Sequence, residues 1–262
     1  MTIKCGKTPR PFLWTIYPDL FLDTTDVIIQ SPLLIQTLRK IPGVKWAYTL
    51  FRHPLARVIQ RYRYHRPVIE QIRGLSLLVL PQVLPPKLFR TGAYLARILS
   101  RELVPPGSHV LDMGTGSGVV SVVTAAWASR VVAIDINPEA VQCAKTNAAR
   151  NNLEGKVDVR HGDLFEPVGG ETFDRIIFNP PFLEGMPSTP FEQALYGGDT
   201  IHRFFSTATP YLKENGEILL LLSTLADVEQ ILAEAAKNGF SIALLCEKHY
   251  INESLMVYRL KP

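Results

Sequence analysis

Apolar and polar positions follow two regimes along the chain, and these meet near residue 86. From Thr91 onward the pattern is regular. Tyr94, Leu95, Ile98 and Leu99 share one face of a predicted helix, which Pro105-Pro106-Gly107 turns into an apolar run at about 108–113. Further apolar runs at about 131–135, 173–178 and 217–222 predict strands, and another strand is predicted at about 156–161. Helical patterns separate them, at about 117–128, from Asn137-Pro138 onward, and at about 199–213 and 225–238. The Asn137-Pro138 helix starts on an N-cap and an N1 proline, and Ala140, Val141, Ala144 and Ala148 line one side. Two last strands are predicted at about 240–248 and 254–260. Strands alternating with helices predict an α/β protein with a parallel sheet, the final pair adding an antiparallel edge.

The first regime is less regular. Pro9, Pro11 and Pro18 interrupt the first 30 residues. Ser31-Pro32 predicts a helix with Leu34, Ile35 and Leu38 as its stripe, stopped at Ile41-Pro42-Gly43. A second helix is predicted over Pro54 to Tyr64, where Leu55, Val58, Ile59 and Tyr62 fall at helical spacing. Leu75 to Leu80 and Val83-Leu84 predict a hairpin or extended connector, ended by Pro85-Pro86. The expected organisation is an N-terminal extension, residues 1–86, followed by a domain at 87–262.

Charge sharpens that division. The chain carries +4 overall, but residues 1–90 hold 14 Lys/Arg against 4 Asp/Glu, and residues 91–262 hold 14 against 20. Such a basic segment suits a polyanionic partner such as RNA; the plainer readings are a solvated face or a basic arm packed on its own acidic domain. Cys5, Cys143 and Cys246 are far apart and odd in number, which argues against a disulfide framework or a zinc site and fits a cytoplasmic setting. The start has no signal-peptide layout, and Leu75 to Leu84, broken by Pro81 and Gln82, falls well short of the roughly 20 apolar residues of a membrane span.

The chemistry sits at predicted strand ends. Val110 to Gly118 reads V-L-D-M-G-T-G-S-G, a strand, a glycine-rich turn and a helix start. Its glycines permit positive φ and close approach of a ligand. The exposed N–H groups of the helix start favour polar or anionic ligand groups. Asp135 ends the second strand, seventeen residues after Gly118, where an acid can accept from both ribose hydroxyls of an adenosine. Asp163, after the third strand, can accept from an adenine amino group. The turn spacing is G-x-G-x-G, not the dinucleotide G-x-G-x-x-G, and Asp112 beside it suits a cationic amine better than a diphosphate. S-adenosylmethionine is such a ligand. Each residue alone has a plainer reading: a packing turn, a helix cap, a turn acid.

Asn179-Pro180-Pro181-Phe182 is the sharpest signal. The prolines stiffen the backbone, so the Asn179 side-chain oxygen and the Pro180 carbonyl can accept both hydrogens of one planar NH2. That orients a nitrogen toward an electrophile and offsets charge as the new bond forms. Phe182 adds a flat face for a planar amide or base.

With these motifs the chain resembles class I S-adenosylmethionine-dependent methyltransferases, within them the N-P-P-[FY] group that methylates planar nitrogens. Phe178 to Phe182, Ala194-Leu-Tyr-Gly-Gly-Asp199, Arg203-Phe-Phe205 and Asn252-Glu253-Ser254-Leu255 are most similar to the archaeal and eukaryotic type of release-factor glutamine methyltransferase. The resemblance covers about residues 88–262 and implies a Rossmann-like, mostly parallel sheet with an antiparallel edge strand, preceded by a mainly helical basic extension. It implies that Asp112, Gly114 and Gly116, with Thr115 and Gly118, hold the methionine part of the cofactor. Asp135 with Ile136 would hold the ribose, and Asp163 with Leu164 the adenine. Asn179 and Pro180, flanked by Pro181 and Phe182, would grip the acceptor, with Asn179 also facing the cofactor; no metal is implied. The acceptor is a protein amide, a translation release factor among the candidates, or an adenine or guanine of RNA or DNA. A binding module that keeps the fold without catalysis is the third reading. One departure stands out: where that family has E-P-x-E-D-[ST], this chain has Pro86-Lys87-Leu88-Phe89-Arg90-Thr91, matching at Thr91.

Overall fold

A computed structural model describes residues 64–183 and 190–262. The helices expected at 31–43 and from Pro54 lie outside these residues, apart from Tyr64 at the end of the second. The described part begins with a hairpin, β1 (Val68–Ile72) and β2 (Leu75–Val79), followed by α1 (Pro86–Phe89) and α2 (Thr91–Ile98). Then come β3 (His109–Met113), α3 (Val119–Thr124), β4 (Arg130–Asp135), α4 (Pro138–Arg150), β5 (Val157–His161) and β6 (Phe173–Phe178). The chain continues through α5 (Pro190–Gln193), α6 (Thr200–Ala208), β7 (Leu212–Ser223), α7 (Val228–Lys237), β8 (Ser241–His249) and β9 (Ser254–Lys261).

Strands β3 to β9 form one seven-stranded sheet in the order β5-β4-β3-β6-β7-β9-β8. β3, β4, β5, β6 and β7 pair in parallel, and β9 runs antiparallel between β7 and β8. The apolar alternation explains the three layers. Val110, Val131, Ile177, Leu219 and Val257 point to the face covered by α2, α3 and α4. Leu111, Val132, Ile176, Leu220 and Tyr258 point to the face covered by α6 and α7, where Phe204, Phe205, Ile231 and Ala235 pack. The inner strands β3, β4 and β7 are buried on both faces and apolar along most of their length, whereas the edge strands β5 and β8 keep exposed polar positions.

Boundaries shift for local reasons. α3 starts at Val119, not near 117, because Gly118 has φ +76°. α6 ends at Ala208 and passes into a 3-10 turn at Thr209–Tyr211, where Pro210 removes a donor. Asn137 caps α4 by accepting from the Glu139 N–H at 2.9 Å.

The hairpin differs from expectation. Leu75–Val79 is a strand, but its partner is Val68–Ile72 and not Val83-Leu84. Arg73 and Gly74 have φ of +53° and +80°, the positive pair that a two-residue hairpin turn of right-handed twist demands. Val83 is buried instead against Ala140 and Cys143, together with Tyr64 and Val79. β2 is tied to α4 through the fully buried Asn147, whose Oδ1 accepts from Leu78 N–H at 2.6 Å while Nδ2 donates to Leu78 O at 2.7 Å.

Candidate active site

The strand order reverses between β3 and β6, and ligands of open α/β sheets bind beyond the carboxyl ends of the strands at that point. A cavity of about 590 Å³ lies there. Gly114, Thr115 and Gly116 line it after β3, Asp135 and Ile136 after β4, Asp163 and Leu164 after β5, and Asn179 to Phe182 after β6. Four loops separated by up to about 65 residues of sequence thus meet around one space, because parallel β-α-β units return each strand end to the same edge of the sheet.

Two expected residues are not among those that line it. Asp112 is 3% exposed, and its Oδ2 accepts from Thr115 Oγ1 at 2.7 Å, Ser121 Oγ at 2.5 Å and Ser121 N–H at 3.1 Å. In this structure the carboxylate braces the glycine turn from inside. Gly118 faces α4, where an added Cβ would lie 2.9 Å from Ala144 Cα, so its absence of a side chain lets α3 and α4 approach.

Burial pushes the Asp112 carboxyl up from 3.8 to about 6. Between those values the folded protein holds a proton that the unfolded chain has released, so this contribution to stability is present below pH 4 and is lost as pH rises through 6. The full span is worth about 3 kcal/mol at ~1.4 kcal/mol per unit. Asp112→Asn, which does not ionise, is expected to gain several degrees of melting temperature relative to wild type between pH 4 and pH 7. Parallel melting curves for the two proteins across that range would rule this out.

Asp135 accepts from Gly116 N–H through Oδ2 at 2.8 Å and from Asn137 N–H through Oδ1 at 2.9 Å. Each carboxylate oxygen can accept more than one bond, so capacity remains for hydroxyls. Burial raises its pKa. Ile136 beside it is 49% exposed, an apolar surface at the edge of the cavity. Asp163 is not a lone acceptor: its Oδ2 receives Arg203 Nη1 at 2.5 Å, and Arg203 Nε also donates to Asp199 Oδ1 at 3.1 Å. Hydrogen bonding to Asp163 holds the Arg203 pKa above its usual value.

At the end of β6, Asn179 Nδ2 donates to Thr91 Oγ1 at 3.2 Å. Among the described residues Asn179 Oδ1 is buried with no hydrogen-bond partner. A buried carbonyl oxygen without a donor is costly, and this one lies on the cavity wall residue Asn179. The loop that follows is braced by the Tyr196-Gly197-Gly198 segment. Leu183 N–H donates to Leu195 O at 2.9 Å, Gly197 N–H donates to Leu183 O at 3.3 Å, and a Cβ on Gly197 would collide with the Pro181 carbonyl.

Other parts of the wall lie outside the expected site residues. Gln82 to Pro86, on the N-terminal side of the compositional boundary, line the cavity together with Phe89 and Thr91. Glu253, 3% exposed in the loop before β9, lines it too and accepts from Ser223 Oγ at 2.8 Å. Among the described residues no cluster of His, Cys, Asp and Glu could hold a metal ion, and no helix is long and apolar enough to cross a membrane.

The fold and this ring of strand-end residues define a methyltransferase. Residues 90–247 match the family described as methyltransferase small domain, and the chain belongs to that family; it is an S-adenosylmethionine-dependent methyltransferase. A Methanocaldococcus jannaschii protein provisionally named a protein N5-glutamine methyltransferase is 32% identical over 200 residues, 72% of this chain and 97% of the relative. The release factor glutamine methyltransferase of Geobacter sulfurreducens is 32% identical over 186 residues, 65% of this chain and 63% of the relative. Among solved structures, the M. jannaschii tRNA m1G37 methyltransferase superposes with a TM-score of 0.54 at 24% identity, over 74% of this chain and 56% of that one, a likeness of fold.

Proposed function

We propose that this enzyme methylates the side-chain amide nitrogen of a protein glutamine, in a translation factor or ribosomal protein. The observation that carries the reading is the buried, unpartnered Oδ1 of Asn179, held by the Thr91 contact on the other side of the same amide. Together with the Pro180 carbonyl it offers two acceptors to the two hydrogens of one planar NH2. An amide gripped this way keeps its nitrogen directed at an electrophile, and both acceptors stabilise the positive charge that grows on nitrogen as the bond forms. Phe182 supplies an apolar face beside it. Both relatives named above carry glutamine methyltransferase names, which supports the amide over a base.

The cavity wall fits the cofactor. Asp135 would accept from the ribose hydroxyls, the free oxygen of Asp163 from the adenine amino group, and Ile136 and Leu164 would flank the ring. Gly114, Thr115 and Gly116 would face the methionine end, with Asp112 and Gly118 shaping the turn from behind. When bound, the cofactor supplies an electrophilic methyl group. Asp135→Ala is expected to raise the dissociation constant for S-adenosylmethionine at least tenfold by calorimetry. An unchanged constant would show that the ribose is held elsewhere.

The deciding experiment is transfer of labelled methyl to a cell extract divided into protein and RNA. Label in protein, recovered as methylated glutamine after digestion, supports the reading. The second reading, an RNA base as acceptor, is favoured by the 14 Lys/Arg against 4 Asp/Glu in residues 1–90. Label removed by nuclease would establish it and reject the first.

A further inference from the structure

The segment from Gln82 to Thr91 runs along the cavity wall and is fastened to β1 and to the residues after β4, after β6 and before β9. Asn137 Nδ2 donates to Gln82 O at 2.9 Å, and Glu70 Oε2 accepts from Lys87 N–H at 3.1 Å. At its far end stands Arg90, between α1 and α2, with φ +68° and ψ −36°, a conformation unfavourable for any residue but glycine. Such strain persists where the surroundings over-determine it. Here they do. The Arg90 guanidinium lies 4.5 Å from the Tyr250 ring centroid, and Nη1 lies 3.9 Å from Glu253 Oε1, with both side chains largely buried. Glu253 is anchored in turn by Ser223 at the end of β7. The Arg90 carbonyl accepts from Tyr94 N–H at 2.8 Å in the first turn of α2, and Arg73 Nη1 caps the other end of that helix at Ala96 O and Leu99 O, 3.0 and 2.7 Å away. The next residue is Thr91, the partner of Asn179.

We propose that Arg90 is a positioning residue for the acceptor: clasped by Glu253 and Tyr250, it fixes Thr91, and Thr91 sets the Asn179 amide with Oδ1 left to receive the substrate NH2. The proposal rests on the amide-gripping role of Asn179. A merely structural arginine would affect stability without touching the Asn179 side chain, so the side chain itself is the readout. The variants are Arg90→Ala, Arg90→Lys, Glu253→Gln and the Arg90→Ala/Glu253→Gln double variant. Each is measured by the Asn179 side-chain NH2 signals in 15N–1H spectra, by calorimetry with S-adenosylhomocysteine, and by labelled methyl transfer to the protein fraction of an extract.

Arg90→Ala and Glu253→Gln are expected to shift the Asn179 NH2 signals and slow transfer about tenfold, with S-adenosylhomocysteine affinity within threefold of wild type. Arg90→Lys should fall between wild type and Arg90→Ala. The double variant should be no slower than Arg90→Ala, since both substitutions break one link. Unmoved Asn179 signals, or losses that multiply in the double variant, overturn the proposal. If Arg90→Ala does not fold, Arg90→Lys and Glu253→Gln decide by the same signals. If the signals move as expected while Asn179→Ala transfers methyl at the wild-type rate, the glutamine reading fails and the link from Arg90 to Asn179 stands.

Discussion

Asn179→Ala is expected to lower turnover by about 10²–10³-fold, the usual loss when a preorganised group that stabilises a transition state is removed. Cofactor affinity should change little, because Asp135, Asp163 and the glycine turn are untouched. The substitution removes both the Thr91 contact and the unpartnered Oδ1, leaving the Pro180 carbonyl as a single acceptor. An amide with one hydrogen held can rotate, and the nitrogen loses its direction. Single-turnover methyl transfer with cofactor saturating separates the two effects. A variant that binds S-adenosylmethionine tenfold worse and reacts normally once it is bound would place Asn179 in cofactor binding instead.

Gly197→Ala is expected to be nearly as damaging, although Gly197 has no side chain to offer a substrate. An alanine Cβ there collides with the Pro181 carbonyl, so either the Tyr196 segment or the loop after β6 must move. Overpacking of this kind costs about 1–3 kcal/mol. The loop that gives way carries Pro180, whose carbonyl is one of the two proposed acceptors. Turnover should fall at least tenfold with a loss of a few degrees in melting temperature and little change in cofactor affinity. Normal turnover in a folded Gly197→Ala protein would show that the loop tolerates the shift and that its position is not set by this contact.

Much of the sheet is legible in one dimension because the elements are short and strongly patterned. Phe173 to Phe178 carries apolar residues at both ends of the run and stops at Asn-Pro-Pro, and the observed strand has those bounds. Asn137-Pro138 places the start of α4 at the right residue. Both signals are local, fixed by backbone donors and φ limits that any neighbourhood would respect. The hairpin's partner strand is not legible for the opposite reason. Val83-Leu84 has the composition of a strand, but pairing is a choice between partners, and the Arg73-Gly74 turn hands Leu75–Val79 to the residues before it.

The same distinction runs through the site. The residue types, their order at strand ends and the nature of the cofactor follow from the sequence alone, since parallel β-α-β connections bring those ends to one edge whatever the loops do. What only the tertiary structure decides is how each group is committed. Asp112 faces Thr115 and Ser121 and is absent from the cavity wall, Asp163 shares its charge with Arg203, and Asn179 keeps one atom satisfied and the other open. Those commitments are hydrogen bonds between residues as far apart as Thr91 and Asn179. No spacing in a linear chain encodes their direction, because a side chain's partners are settled only when packing has fixed which groups are within reach.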